Sequence, residues 1–149
     1  MKELILRKAD DFDMKDIMEL LTQVFAGEQR IPADMIPLPE ALCPQWWCAL
    51  KGTSIVGAVC AWKENGRTHW GRFAVNPASR GLHVGTQLAE YSLRDLFSQG
   101  ITEIHMEARD VTVMIISRLG GRITGTPVEF YEGSVTPMIL YKTDFSDKC

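Results

Sequence analysis

The sequence predicts an α/β fold, an α+β mixed sheet with helices on its faces. Three observations predict it. Short runs with strand-like composition, bounded by turn residues, alternate with stretches of helical apolar spacing. Three of the runs are consecutive, separated by Lys51-Gly52-Thr53 and Glu64-Asn65-Gly66, and Asn-Gly is a strong hairpin signal. They read as an antiparallel meander. The strand ending at Val75 and the one beginning at Ile101 are joined through a helix, so these two run parallel.

Each element has its own justification. Leu4-Ile5-Leu6-Arg7 is a short opening strand. Asp11 or Asp13 is placed to cap the helix that follows, whose apolar face is Ile17, Leu20, Leu21, Val24 and Phe25, with Gly27 as its stop. Residues 28–45 carry Pro32, Pro37, Pro39 and Pro44, which break any long helix, so a loop holding a short helix is expected there. Long loops in compact domains are often functional. Residues 46–50, 54–63 and 67–75 are the meander strands. A second helix begins near Gly81 to Gly85 and ends before Gly100, with Ala89, Leu93, Leu96 and Phe97 facing the core. In residues 101–108, Ile104, Met106 and Ala108 point one way while Glu103, His105 and Glu107 point the other. Residues 111–119 form a short helix closed by Gly120-Gly121. Residues 128–131 and 135–142 pair as a hairpin around Glu132-Gly133. The expected order is β-α-loop-β-β-β-α-β-α-β-β.

The chain of 149 residues suits one domain spanning 1–149, large enough to bury a core without staples. Its formal net charge is −3, with both signs mixed along the chain, so a general nucleic-acid binder is not expected. No apolar run reaches the roughly 18–20 residues of a membrane span, and the N-terminus is too weakly apolar for a signal peptide. A cytoplasmic protein is expected. Cys43, Cys48, Cys60 and Cys149 show neither zinc spacing nor a Cys-x-x-Cys pair, so reduced, mostly buried thiols and no metal are expected.

The stretch most informative about chemistry is Phe73-Ala74-Val75-Asn76-Pro77-Ala78-Ser79-Arg80-Gly81-Leu82-His83-Val84-Gly85-Thr86-Gln87-Leu88. A strand ends at Val75, Pro77 stops it, and a glycine-bearing turn enters a helix. A helix N-terminus presents unpaired N–H groups and the positive end of its dipole, which suits a phosphate. Taken alone, such a turn is also an ordinary strand–helix connection. It is neither a Walker loop nor the dinucleotide fingerprint, because no Gly-Lys-Ser/Thr follows and Gly81-x-x-x-Gly85 is wrongly spaced.

This stretch resembles the acetyl-CoA-binding motif Val-x-Pro-x-x-Arg-Gly-x-Gly-Ile/Val-Gly-x-x-Leu of the GCN5-related N-acetyltransferase (GNAT) superfamily. Val75, Pro77, Arg80, Gly81, Val84, Gly85 and Leu88 match it. Leu6-Arg7-Lys8-Ala9, Ile55-Val56-Gly57-Ala58, Leu119-Gly120 and Pro137-Met138-Ile139-Leu140-Tyr141-Lys142 resemble further family segments, so the likeness runs over nearly the whole chain. It implies a mostly antiparallel sheet splayed between its fourth and fifth strands, with acetyl-CoA in the split. By resemblance, Arg80, Gly81, Leu82, His83, Val84, Gly85 and Thr86 hold the pyrophosphate, and the main chain of Phe73, Ala74 and Val75 pairs with the pantetheine and contacts the oxyanion. An amine of a small molecule or protein then attacks the thioester directly. A homodimer is a further expectation from the resemblance.

Departures from the pattern concern the chemistry. His83 stands where the family has glycine, either crowding the loop or leaning on a phosphate. Gly121 replaces a common Phe. Ile116 occupies the position where the family often places the Tyr that protonates the leaving thiolate; Ser117 is adjacent but a poor acid at neutral pH. A thiol with a pKa near about 8.5 can leave without strict acid help. Glu107, His105, His69 and Arg72 are candidates around the fifth and fourth strands, and Glu107 ranks ahead of His69 as base. Strand carboxylates are mostly solvated face residues, and a His beside Trp70 is mostly a packed one. Asp110 reads as a cap for the helix after it. Trp46, Trp47, Trp62 and Trp70 read as core or cross-strand pairs. Glu28, Arg30 and Glu40 lie on the Pro-rich loop where the family builds its acceptor pocket. The competing reading is a non-catalytic acyl-CoA-binding module; an unrelated phospholigand binder ranks third.

Overall fold

A computed structural model describes residues 3–32, 38–80 and 83–146; Pro37, Gly81, Leu82, Cys149 and the side chain of Glu40 lie outside the described part. The elements are β1 (Leu4–Lys8), α1 (Met14–Leu21), β2 (Gln45–Lys51), β3 (Ser54–Glu64), β4 (Arg67–Val75), α2 (Val84–Ser98), β5 (Glu103–Ala108), α3 (Asp110–Arg118), β6 (Arg122–Ile123), β7 (Val128–Glu129) and β8 (Ser134–Tyr141). The sheet order is β1-β2-β3-β4-β5-β8-β6, with β7 also paired to β8. All pairings are antiparallel except β4 with β5. The mixed α/β reading and the parallel pair are therefore present as expected. The two-residue β6 was not foreseen, because Arg122-Ile123 is too short to show a period.

Two cores cover the sheet, and residue alternation decides which side each strand residue joins. Trp47 and Ala49 pack with α2 and α3 through Leu88, Leu93, Leu96 and Ile116. Trp46, Cys48 and Leu50 pack on the other face with Ile17, Leu21, Val24 and Phe25. This is the period-two pattern of a strand buried on both faces. Two buried indoles have their N–H groups satisfied: Trp47 Nε1 donates to Asp95 at 2.8 Å and Trp70 Nε1 to Ser92 Oγ at 2.9 Å.

Three local expectations are corrected. Asp13 holds the N-cap position of α1, but its side chain makes no capping bond there; the side-chain cap is that of Asp10 on the turn before, in a reciprocal box with Asp13. The Asp13 carboxylate is taken by Arg7, at 2.7 and 2.9 Å, and by the Asp10 amide at 2.9 Å. Gly27 does not stop the helix, which runs on as a π-helical segment over Thr22–Glu28. Asp110 is not the cap of α3: Arg109 holds that position in extended conformation, and Asp110 sits in the first turn, where its charge suits the dipole. Of the free thiols, Cys48 and Cys60 are buried but Cys43 is exposed. Burial pushes the Cys48 thiol up to about 11 and the Cys60 thiol to about 12.

The feature that positions the site is where β4 and β5 part. They share a single ladder position, His69 opposite His105. Beyond it β5 pairs only with β8 as far as Ala108, and β4 pairs only with β3 as far as Val75. The β3–β4 register also shifts between Ala58 and Cys60, and Arg72 takes a left-handed backbone at φ 52°. A bulge there increases local twist and re-aims the strand. The result is the splay between the fourth and fifth strands that the resemblance implied.

Candidate active site

The split opens into two adjoining cavities. The first, about 230 Å³, lies between Gly71–Phe73 of β4 and the end of β5, and is closed by Phe25, Gln29 and Ile31 on one side and Phe130 on the other. The second, about 510 Å³, runs along Phe73, Ala74 and Val75 to the start of α2, with α3 as its far wall. Gln29, Phe73, Arg109 and Thr112 line both, so they mark the junction. The π-helical segment brings Val24, Glu28 and Gln29 to this wall; π-bulges recur at functional sites. The Glu132 amide donates to the Gln29 carbonyl at 3.4 Å, tying the β7–β8 hairpin to the same segment.

At the outer end of the second cavity, α2 presents its N-terminus. His83 is the residue before the helix, left-handed at φ 60°, exposed, and with no capping bond from its side chain. The first ladder bond is Gln87 N to the His83 carbonyl at 3.0 Å. The amides of Val84, Gly85 and Thr86 therefore have no partner inside the helix, and all three residues line the second cavity. A Cβ on Gly85 would meet Phe73 at 3.3 Å and Ile115 and Val75 at 3.6 Å, so the glycine keeps this channel open. Arg80 closes the rim. Its guanidinium makes two bonds to Glu28, at 2.8 and 2.9 Å, and its Nε donates to the Val75 carbonyl at 3.1 Å. The Glu28 carboxyl is held below its ordinary value by those bonds.

The catalytic candidates separate. Glu107 is exposed and lines the first cavity. His69 lines neither cavity; it stacks on Trp62 at 5.7 Å between centroids and sits 6.0 Å from the His105 ring, below the split. His105 bonds Glu103 at 3.0 Å. Ser117 is exposed on the outer face of α3 and lines neither cavity. Ile116 is fully buried in the core, so its position is turned away from the split. The face of α3 toward the split is Val111, Thr112 and Ile115. Among the described residues lining the two cavities there is no Tyr, Cys or Ser.

The pattern of the acetyltransferase (GNAT) family matches residues 14–113, from α1 through the split to α3. The chain belongs to this family. Its members are acyl-CoA-dependent acyltransferases, and in this GNAT chain the second cavity lies between the N-terminus of α2 and the edge of β4. Solved structures share the fold. The Escherichia coli protein ElaA is 19% identical with a TM-score of 0.78, over 93% of this chain and 99% of that one. An acyl-CoA N-acyltransferase from Pseudomonas aeruginosa is 16% identical with a TM-score of 0.75, over 93% and 99%. A GCN5-related N-acetyltransferase from Kribbella flavida is 17% identical with a TM-score of 0.73, over 93% and 97%. No curated protein matches the chain significantly. Among the described residues no cluster of His, Cys, Asp or Glu could hold a metal ion, and no helix is long and apolar enough to cross a membrane.

Sequence reasoning missed Gln29, Arg109, Thr112 and Phe130. Arg109 carried a usable signal, since it follows directly on the strand that bounds the split. Gln29 and Phe130 carried none, because a π-helical segment and a distant hairpin bring them in.

Proposed function

We propose that this chain transfers an acetyl group from acetyl-CoA directly to a primary amine. The observation that carries this reading is the meeting of two cavities at Gln29, Phe73, Arg109 and Thr112, one ending on a helix N-terminus and the other on Glu107. The pyrophosphate takes the amides of Val84, Gly85 and Thr86 together with the neighbouring Gly81, Leu82 and His83 backbone and the Arg80 side chain. The pantetheine runs along the open edge of Phe73–Val75, whose amides offer the oxyanion contact. The amine enters through the first cavity. Its lone pair attacks the thioester carbon, the C–N bond forms, the C–S bond breaks, and the electron pair leaves on the CoA sulfur. The surplus ammonium proton passes to the Glu107 carboxylate, directly or through one water. Holding the two reactants at the junction lowers the entropic part of the barrier.

Among the described residues the cavities contain no phenol or thiol to protonate the leaving sulfur, and this observation favours a second reading, a non-catalytic acyl-CoA sensor on the same fold. Calorimetric titration separates the readings when followed by an amine screen. Micromolar binding of acetyl-CoA and CoA, and not of ATP, with amine-dependent CoA release supports the enzyme. Binding without turnover supports the sensor. Binding of neither CoA form overturns both. We also propose a cytoplasmic location and self-association involving the exposed Met114 of α3, which sedimentation would read.

A further inference from the structure

Two buried polar atoms in the described structure lack any partner, Gln29 Oε1 and Arg109 Nη2, and both residues line the junction of the two cavities. The Arg109 side chain is pinned on one side. Its Nη1 donates to the Phe130 carbonyl at 2.9 Å, and its guanidinium carbon lies 5.2 Å from the centre of the Phe130 ring. The other terminal nitrogen, Nη2, is buried without a partner. Gly133 belongs to this arrangement, because a Cβ there would come within 2.8 Å of Arg109 Nη1.

An unmatched buried donor is destabilising, and more so when it is cationic. Native structures satisfy such atoms, and an exception calls for an explanation. The first cavity gives one. Its lining holds the Arg109 guanidinium and the Glu107 side chain, while the Arg72 guanidinium lies over the Trp62 ring. Asp110 acts on Arg109 from the next position, but burial outweighs it and lowers the guanidinium pKa. An occupant with both an anion and an N–H would match the two open atoms together: an anion for Arg109 Nη2, a donor for Gln29 Oε1. A guanidinium with one open side suits the two oxygens of a planar carboxylate.

We propose that the acceptor is a small amine that also carries a carboxylate, with Arg109 and Gln29 as the pair that selects it. This rests on the acyltransferase reading above. It assigns Arg109 to the acceptor rather than to the thioester.

The test uses full-length protein, acetyl-CoA and matched acceptors: amino acids, their primary amides and the decarboxylated amines. CoA release gives kcat and KM for each. The expected result is a preference for the carboxylate form of about tenfold or more in kcat/KM, expressed in KM. Arg109→Gln should remove that preference, raising KM for the carboxylate form toward the values of the amide and the decarboxylated amine. Gln29→Leu, which keeps Arg109 and its Phe130 contact, should raise KM for all three forms with kcat retained, and it keeps the inference testable should Arg109→Gln fail to fold. Equal use of amide and carboxylate overturns the proposal. So does an equal fall in kcat for every acceptor in Arg109→Gln, which would put Arg109 on the thioester. Binding of acetyl-CoA with no turnover of any amine overturns the enzyme reading and this inference with it, an outcome distinct from turnover without the preference.

Discussion

Glu107 and His83 carry opposite lessons at the residue scale. Glu107 was legible because β5 alternates cleanly, and the strand places its carboxylate on the first cavity. Glu107→Gln should lower turnover by about 100-fold or more, the range for losing a general base, with acetyl-CoA affinity held within about twofold. An unchanged rate removes Glu107 from the mechanism. His83 departs from the family motif where the backbone is left-handed, a conformation glycine adopts freely and other residues at a cost of about 1 kcal/mol. Its imidazole is exposed and caps nothing. His83→Gly should therefore raise stability by up to about 1 kcal/mol in denaturant melts, less the greater freedom of the unfolded chain. CoA affinity should be retained; a tenfold loss would show the ring to be a phosphate ligand. The separation of His69 and Ser117 from the cavities was not legible, since spacing along one strand or helix does not say where a neighbouring element ends.

Elements decide the channel and its supports. The N-terminus of α2 was readable from Pro77 and the glycines, which punctuate strand and helix whatever the tertiary context. A side chain at Gly85 projects among Phe73, Val75 and Ile115. Gly85→Trp should weaken CoA binding by about 100-fold, roughly 2.7 kcal/mol, with an unchanged circular dichroism spectrum. Normal affinity in that variant would remove the second cavity from the CoA site. The α3 C-terminus is more constrained. Gly120 has φ 106°, and a Cβ there would overlap the Asp144 carbonyl. Asp144 is held by Arg122 at 2.8 Å, and the Ser146 amide donates to Leu119 at 2.9 Å. Gly120→Ala should cost about 2 kcal/mol or more, since left-handed strain adds to a backbone clash. A melting temperature within a degree of the parent would contradict this. The adjacent Gly121 explains the missing family Phe, because a Cβ there would run into Ile116.

At the scale of the whole molecule, one ion pair links the first strand to the first helix across the sheet edge. Arg7 bonds both oxygens of Asp13 and holds that carboxyl at about 2, below its ordinary value near 3.8. A carboxylate with a depressed pKa adds stability above its unfolded value, and that stability is lost as the pH falls through the folded value. Arg7→Gln should thus cost about 1–2 kcal/mol at neutral pH, given the partial exposure of Arg7. The difference from the parent should shrink between about pH 4 and pH 2 and vanish below, as read by urea melts at stepped pH. A difference independent of pH would assign the loss to packing of the Arg7 stem.

The sequence by itself determined the order of strands and helices, the parallel crossover, the turn into the second helix and the carboxylate on the fifth strand. These depend on local backbone preference and on apolar period, which a chain carries wherever it folds. Only the tertiary structure decided the rest: where the β4–β5 ladder stops, the bulge at Arg72, the π-helical turn that delivers Gln29, and the approach of Phe130 to Arg109. Each depends on contacts between residues far apart in sequence. Such contacts set which polar atoms lose their partners, and at this junction those atoms are Gln29 Oε1 and Arg109 Nη2.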